Sequence, residues 1–272
     1  MGHDESSDRD GYFPFEGCNA VDGQNVRSLS ATEIALRTGK KCRRNDELSG
    51  KLRNEFTDEC RAGPQFGDWW LRYTRALKQR NAALRTQPDQ ASVWDPELAR
   101  LGELIAEARR RFVDALVPHW REAVLALTDL EPELHYFKGW AQDVTLADAL
   151  AASKARDETK RVTHLGPHRS DIVLRMNGKP AREVLSRGQQ KLVAVAMTLA
   201  QLNLLQTTTQ TRPTLLLDDP AAELDGKHLG RFIDQVMRLR SQLVLTSLHP
   251  ASHLFGTPDR LFHVEQGRVN EA

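Results

Sequence analysis

Four short runs in the second half of the chain carry side chains able to handle phosphate and a divalent cation. Leu185-Ser186-Arg187-Gly188-Gln189-Gln190-Lys191 stands directly before a helical stretch. A serine hydroxyl with free backbone N–H groups at a helix start, beside a glycine that lets another backbone or a ligand approach, makes an anion site suited to phosphate. The same residues also satisfy an ordinary serine N-cap. Pro213-Thr214-Leu215-Leu216-Leu217-Asp218-Asp219-Pro220 is an apolar strand that ends in adjacent carboxylates. Open α/β sheets bind ligands at that carboxyl edge. One carboxylate there can hold Mg²⁺ and the other can polarise an attacking water, although Asp-Asp-Pro is equally good turn chemistry. Ala222-Glu223-Leu224-Asp225 follows as an acidic helix start, which complements the helix dipole. A further strand then ends at Thr246 and Ser247, with His249 two positions on. Each run alone has a bland reading; their order is what favours a phosphate and cation site.

Such a site needs a sheet edge and helix starts. From residue 161 onward, short strands alternate with helices: Ile172 to Leu174, Leu215 to Leu217 and Leu243 to Leu245 are apolar runs, and Asn177-Gly178 is a two-residue hairpin turn. Helices expected over 188–206 and 226–240 complete a βαβ arrangement with a largely parallel sheet. Residues 66 to about 160 read as helical. Trp70, Tyr73, Leu77 and Leu84 share one face of a first helix, with Arg75, Lys78 and Arg85 away from it. Asp95-Pro96 opens a second helix as N-cap and first-turn proline. Its seam is Leu98, Leu101, Ile105, Ala108, Phe112 and Leu116, and Pro118 is expected to end or kink it. Two such helices joined by a short connection make an antiparallel arm. Residues 1–65 show weak periodicity and receive no stable fold, apart from a capping box at Ser30 to Glu33 that opens a short helix through Leu36.

Bulk properties set outer bounds. In 272 residues, 40% hydrophobic content suffices for a core, and 38 Lys plus Arg against 37 Asp plus Glu place any basic surface locally. Cys18, Cys42 and Cys60 form no CxxC pair, as expected of a reducing compartment. The longest apolar stretch, Leu192 to Leu205, is broken by Thr198, Gln201 and Asn203, and the start of the chain is acidic and polar. The expectation is a soluble cytoplasmic protein with no membrane partner.

The order of the four runs resembles the signature motif, Walker B strand, D-loop and switch strand of ABC ATPases. Arginine within Ser186-Arg187-Gly188-Gln189, the pair Asp218-Asp219, Thr163-His164-Leu165-Gly166-Pro167-His168-Arg169 and Ala76-Leu77-Lys78-Gln79-Arg80-Asn81 look like the RecF family in particular. The resemblance covers roughly residues 66–272, with a fragment near Val21 to Leu29 in the otherwise poorly matched 1–65. It implies an α/β fold, the C-terminal lobe of an SMC-like ABC ATPase head (161–272) with an inserted α-helical hairpin arm (66–160). It further implies ATP and Mg²⁺ as cofactors, with Asp218 to the metal and Asp219 to the water. Ser186, Arg187, Gly188 and Gln189 would meet the γ-phosphate of an opposite subunit, Glu223 and Asp225 would form the D-loop, and Thr246, Ser247 and His249 the switch. An ATP-joined homodimer would hold single-stranded or gapped DNA and act with RecR and RecO to load RecA in replication, repair, recombination and the SOS response. Arg75, Lys78, Arg85, His168 and Arg169 are the DNA-contact candidates.

Two departures stand out. GxxxxGK[ST], the loop that wraps the phosphates, is not in these residues. Gly39-Lys40-Lys41 and Gly50-Lys51-Leu52 lack both the earlier glycine and the closing hydroxyl, so an N-terminally incomplete chain that neither binds ATP tightly nor turns it over is expected. The second departure is Ser247, which stands where many ABC heads have histidine. A non-catalytic scaffold remnant and an ABC transporter nucleotide-binding subunit are the competing readings.

Overall fold

The computed structural model describes residues 26–28, 65–209, 213–247 and 255–272. The capping box at Ser30 to Glu33 lies outside them. Strand β1 (Val26–Ser28) falls within the fragment singled out in the sequence. Helix α1 (Phe66–Thr86) buries Tyr73, Ala76, Arg80 and Leu84 on one face and leaves Arg75, Lys78 and Arg85 exposed. A 3-10 segment, Pro88–Trp94, turns the chain into α2 (Asp95–Leu127).

Three expectations are corrected in this region. Asp95 does not cap α2, because its carboxylate accepts from Arg80 Nε at 2.6 Å. Pro118 does not end α2, which runs on through Leu127. It sits on the exposed side, while Leu116 and Trp120 on either side are buried and anchor the helix. The seam therefore continues through Val124 to Leu127. Finally, the stretch 66–160 is not helical throughout. Strand β2 (Glu133–Phe137) alternates exposed and half-buried residues, the period of a one-sided strand.

After β2, helix α3 (Leu146–Lys160) is capped by Thr145, whose hydroxyl accepts from the Asp148 N–H. Strands β3 (Asp171–Met176) and β4 (Lys179–Pro180) complete an antiparallel sheet in the order β2-β3-β4, with Leu134 opposite Leu174 and Tyr136 opposite Ile172. Asn177 at φ 53° and Gly178 at φ 74° form the primed turn expected of an Asn-Gly pair.

A short helix α4 (Ala181–Val184) leads into α5 (Arg187–Thr209), β5 (Thr214–Asp218), α6 (Pro220–Glu223), α7 (Gly226–Arg238) and β6 (Leu243–Thr246). The expected βαβ unit is present. β5 lies between β1 and β6, parallel to both, with Val26 opposite Thr214 and Asp218 opposite Thr246. Val195 and Leu199 of α5, Leu215 and Leu217 of β5, and Phe232 and Val236 of α7 meet around one narrow apolar gap, so both helices cover the same face of the sheet. The final hairpin, β7 (Phe262–Glu265) and β8 (Arg268–Glu271), places Phe262, Val264 and Val269 on one face, all exposed.

Candidate functional site

The strand end forms the chemical centre. Asp218 is the last residue of β5 and its carboxylate is exposed; Asp219 follows at φ 40°, ψ 56°, a left-handed conformation costing a non-glycine residue roughly 1–2 kcal/mol. Hydrogen bonds to β6 hold both. The Thr246 hydroxyl donates to Asp218 Oδ1 at 2.5 Å, and the Asp219 N–H donates to the Thr246 carbonyl at 3.0 Å, with the Thr246 hydroxyl oxygen 3.3 Å away.

The start of α5 is built by reciprocal capping. The Gln189 N–H donates to Ser186 Oγ at 3.3 Å, and the Ser186 N–H donates to Gln189 Oε1 at 2.8 Å. Gln190 steadies the approach by donating from Nε2 to the Leu185 carbonyl at 2.9 Å. Ser186, Arg187 and Gly188 stay exposed. A Cβ placed on Gly188 would meet nothing within 4 Å, so the chain's own packing does not require glycine there.

Helix α5 ends at Thr209 close in sequence to the start of β5 and shares the apolar gap with it, so the helix runs back along the strand. Its N-terminus consequently lies at the end of the sheet that carries Asp218, with Arg187 about 12 Å beyond Val195 along the axis. Ser186 and the aspartate pair thus occupy one end of the lobe. At that end also, Asp225 caps α7: its carboxylate accepts from the His228 N–H at 3.1 Å and meets His228 Nδ1 at 2.6 Å. These bonds hold the Asp225 carboxyl below the ordinary range. Glu223 closes α6, Ser247 follows β6 and is exposed, and His249 lies outside the described residues.

Among the described residues no group of three or more His, Cys, Asp or Glu side chains is placed to hold a metal ion. Mg²⁺ takes one or two carboxylates and completes its shell with water and phosphate oxygens. Asp218 Oδ2 and the Asp219 carboxylate supply such hard oxygen donors.

The arm's cations divide into two sets. Arg75, Lys78 and Arg85 face solvent, and Arg72 pairs with Glu97 at 2.6 Å. Arg80, by contrast, is 1% exposed and donates to Asp95, to Asp157 Oδ2 at 2.7 Å and to Thr163 Oγ1 at 2.9 Å. Asp157, itself fully buried, also accepts from Ser153 and from the His164 N–H, while Thr163 donates to Asn81 Oδ1 at 2.8 Å. The two segments that resemble the same family therefore touch each other. Arg109 is buried likewise, with Nη1 donating to the Pro167 carbonyl and Ser170 Oγ and its guanidinium 4.8 Å from the Trp70 ring centroid. Sequence reasoning missed Arg80 and Arg109. The available signal was their position on apolar stripes, Arg80 between Tyr73 and Leu84 and Arg109 between Ile105 and Phe112.

His168 is mostly enclosed. Its Nδ1 accepts from the Tyr73 hydroxyl at 2.7 Å and its Nε2 donates to the Thr163 carbonyl at 3.1 Å. Burial draws the imidazole below its ordinary pKa, and pushes the Tyr73 hydroxyl up. Gly166, at φ 134°, leaves the room this contact needs, since a Cβ there would lie 2.3 Å from the Tyr73 oxygen. Arg169, the next residue, is exposed. Of the two candidates in this loop, only Arg169 thus faces solvent for a phosphate. No helix among the described residues is long and apolar enough to cross a membrane.

No protein-family model matches the chain. Among curated proteins it is 35% identical over 279 residues to the "DNA replication and repair protein RecF" of Pseudomonas paraeruginosa, a match covering 98% of this chain and 74% of that protein. The protein of the same description from Pseudomonas syringae pv. tomato is 36% identical over 281 residues, covering 98% and 75%. A match of 98% reaches well into residues 1–65, beyond the extent read from the motifs alone. Among solved structures, one titled "Structure of the recombination mediator protein RecF-ATP in RecFOR pathway" superposes with a TM-score of 0.71 at 21% identity, over 92% of this chain and 68% of that one. At that identity the likeness establishes a shared fold.

Proposed function

Because the chain belongs to the RecF family, we propose that it serves DNA repair and recombination as the C-terminal lobe and arm of an ATP-dependent head. The observation that carries the proposal is the shared placement of the capped Ser186 helix start and the Asp218-Asp219 strand end at one end of the sheet. In that role Asp218 faces Mg²⁺, which when bound neutralises phosphate charge, and Asp219 orients and accepts a proton from water. Ser186, Arg187, Gly188 and Gln189 form the helix start that meets the γ-phosphate held by an opposite head, with Arg187 bringing a cation. The open space at Gly188 leaves room for such a body to approach the helix start. Asp225, fixed and ionised at the start of α7, contacts the facing subunit.

The phosphate-wrapping GxxxxGK[ST] loop is not among these 272 residues, so in our proposal this chain by itself contributes half of a composite pocket and does not turn ATP over. Membership of the RecF family sets the transporter reading aside. The proposed partners are a second head, gapped or single-stranded DNA, and RecR and RecO.

Arg75, Lys78 and Arg85 give α1 an exposed row of cations for the DNA backbone. Gapped-duplex binding by the full chain, measured at two salt concentrations, tests this. Arg75→Glu with Lys78→Glu is expected to weaken binding and flatten its salt dependence. Unchanged affinity at low salt removes α1 from the DNA interface.

A further inference from the structure

We propose that Thr246 is a positioning residue for the aspartate pair, assigning one Asp218 oxygen to the protein and leaving the other for the cation. The inference rests on the reading of Asp218 as the cation carboxylate, and it gives Thr246 a task distinct from sensing a γ-phosphate. Three contacts meet in this one residue. The parallel register of β5 and β6 sets Thr246 directly beside Asp218. Its hydroxyl proton goes to Asp218 Oδ1, a charge-assisted bond of the stronger class. Its carbonyl accepts the Asp219 N–H, which stabilises the left-handed turn placing the second carboxylate at the strand end.

An exposed carboxylate is free to rotate about its last bond, and ordering it for a metal costs conformational entropy. A hydroxyl already donating to Oδ1 removes that freedom before any ligand arrives and points Oδ2 away from β6. Valine at 246 keeps the β-branched shape and the backbone carbonyl, and loses the hydroxyl that donates to Asp218 and lies 3.3 Å from the Asp219 N–H. Serine keeps the donor.

The experiment uses the full chain with ¹³C-labelled aspartate, the Asp218 carboxyl signal being assigned by its loss in Asp218→Asn, and Mn²⁺ alone as the probe. Thr246→Val is expected to move the Asp218 carboxyl resonance and to raise about tenfold the Mn²⁺ concentration that broadens it, while Thr246→Ser keeps both near the wild-type values. Protection of the Asp219 amide from hydrogen exchange is expected in all three proteins, because its carbonyl acceptor is unchanged; this separates a lost hydroxyl contact from a disordered strand end. An Asp218 resonance that stays in place in Thr246→Val, or a serine variant that behaves like the valine one, overturns the positioning role. Wild-type protein in which millimolar Mn²⁺ leaves Asp218 untouched instead overturns the cation reading, and the carboxyl shift still decides for or against the Thr246 bond.

Discussion

Asp219 and His168 show how single residues here are held in states they would not adopt alone. A left-handed aspartate persists because Thr246 accepts its N–H from the neighbouring strand, and the outcome is two carboxylates turned differently at one strand end. His168 is kept neutral, with Nε2–H donating to Thr163 and Nδ1 accepting from Tyr73. Burial is the main cause of its lowered pKa; Arg169 and Arg80 add to it, while the Thr163 carbonyl and Asp157 oppose it. A histidine that protonates less readily when folded binds fewer protons than its unfolded counterpart. Its contribution to stability is therefore complete above the unfolded value near 6.5 and is lost as pH falls from there toward the folded value. Urea midpoints at about pH 7.5 and about pH 5.5 are expected to fall on acidification by more in the wild type than in His168→Gln. Equal falls would mean that this imidazole contributes nothing to the acid sensitivity.

At the level of elements, an ion network around Arg80 ties α1, α2, α3 and the loop before β3 together. Its guanidinium serves Asp95 at the head of α2, Asp157 in α3 and Thr163 in the loop before β3. Arg80→Ala strands a fully buried carboxylate at Asp157, and unfolding free energy is expected to drop by about 3–5 kcal/mol. Adding Asp157→Leu to Arg80→Met should recover much of that loss, and urea titration of the two variants measures it. A double variant no more stable than Arg80→Ala would place the network's value in geometry rather than in charge balance. Elements written in local chemistry were legible from the sequence: the Asn177-Gly178 turn, the apolar run of β5, the starts of α5 and α7, and the face of α1. What depended on distant partners was not. Glu133–Phe137 is a strand because Asp171–Met176 pairs with it, and the preceding seam of α2 masked its alternation. Pro118 was a break by its own chemistry and harmless by its exposure, which only packing reveals. The buried role of Arg80 depended on Asp157, 77 residues away in the chain. The aspartate pair and the serine cap were visible as residue types in order, whereas the clamp from Thr246 needed the register of β5 against β6.

At the scale of the whole molecule, the 33 residues of α2 run from the Arg80 network to the last turn, where Arg231 of α7 donates to the Leu127 carbonyl and meets Asp129 at 3.1 Å. The helix that Asp225 caps and the helix that roots the arm are thus fastened to each other. With no GxxxxGK[ST] loop among its residues, the chain is expected to show no micromolar ATP binding by calorimetry with Mg²⁺ present. Micromolar binding that Asp218→Ala abolishes would show instead that these residues cradle the triphosphate unaided. The parallel sheet also carries a timing cost. Among the described residues β1 pairs with β5, and Val26 meets Thr214 across about 190 residues of chain. On a ribosome adding 5–20 residues each second, the first strand emerges roughly 10–40 s ahead of its neighbour. During that interval the edge that β5 will cover still waits for it, which makes β1 the natural client for a holding chaperone until β5 leaves the exit tunnel.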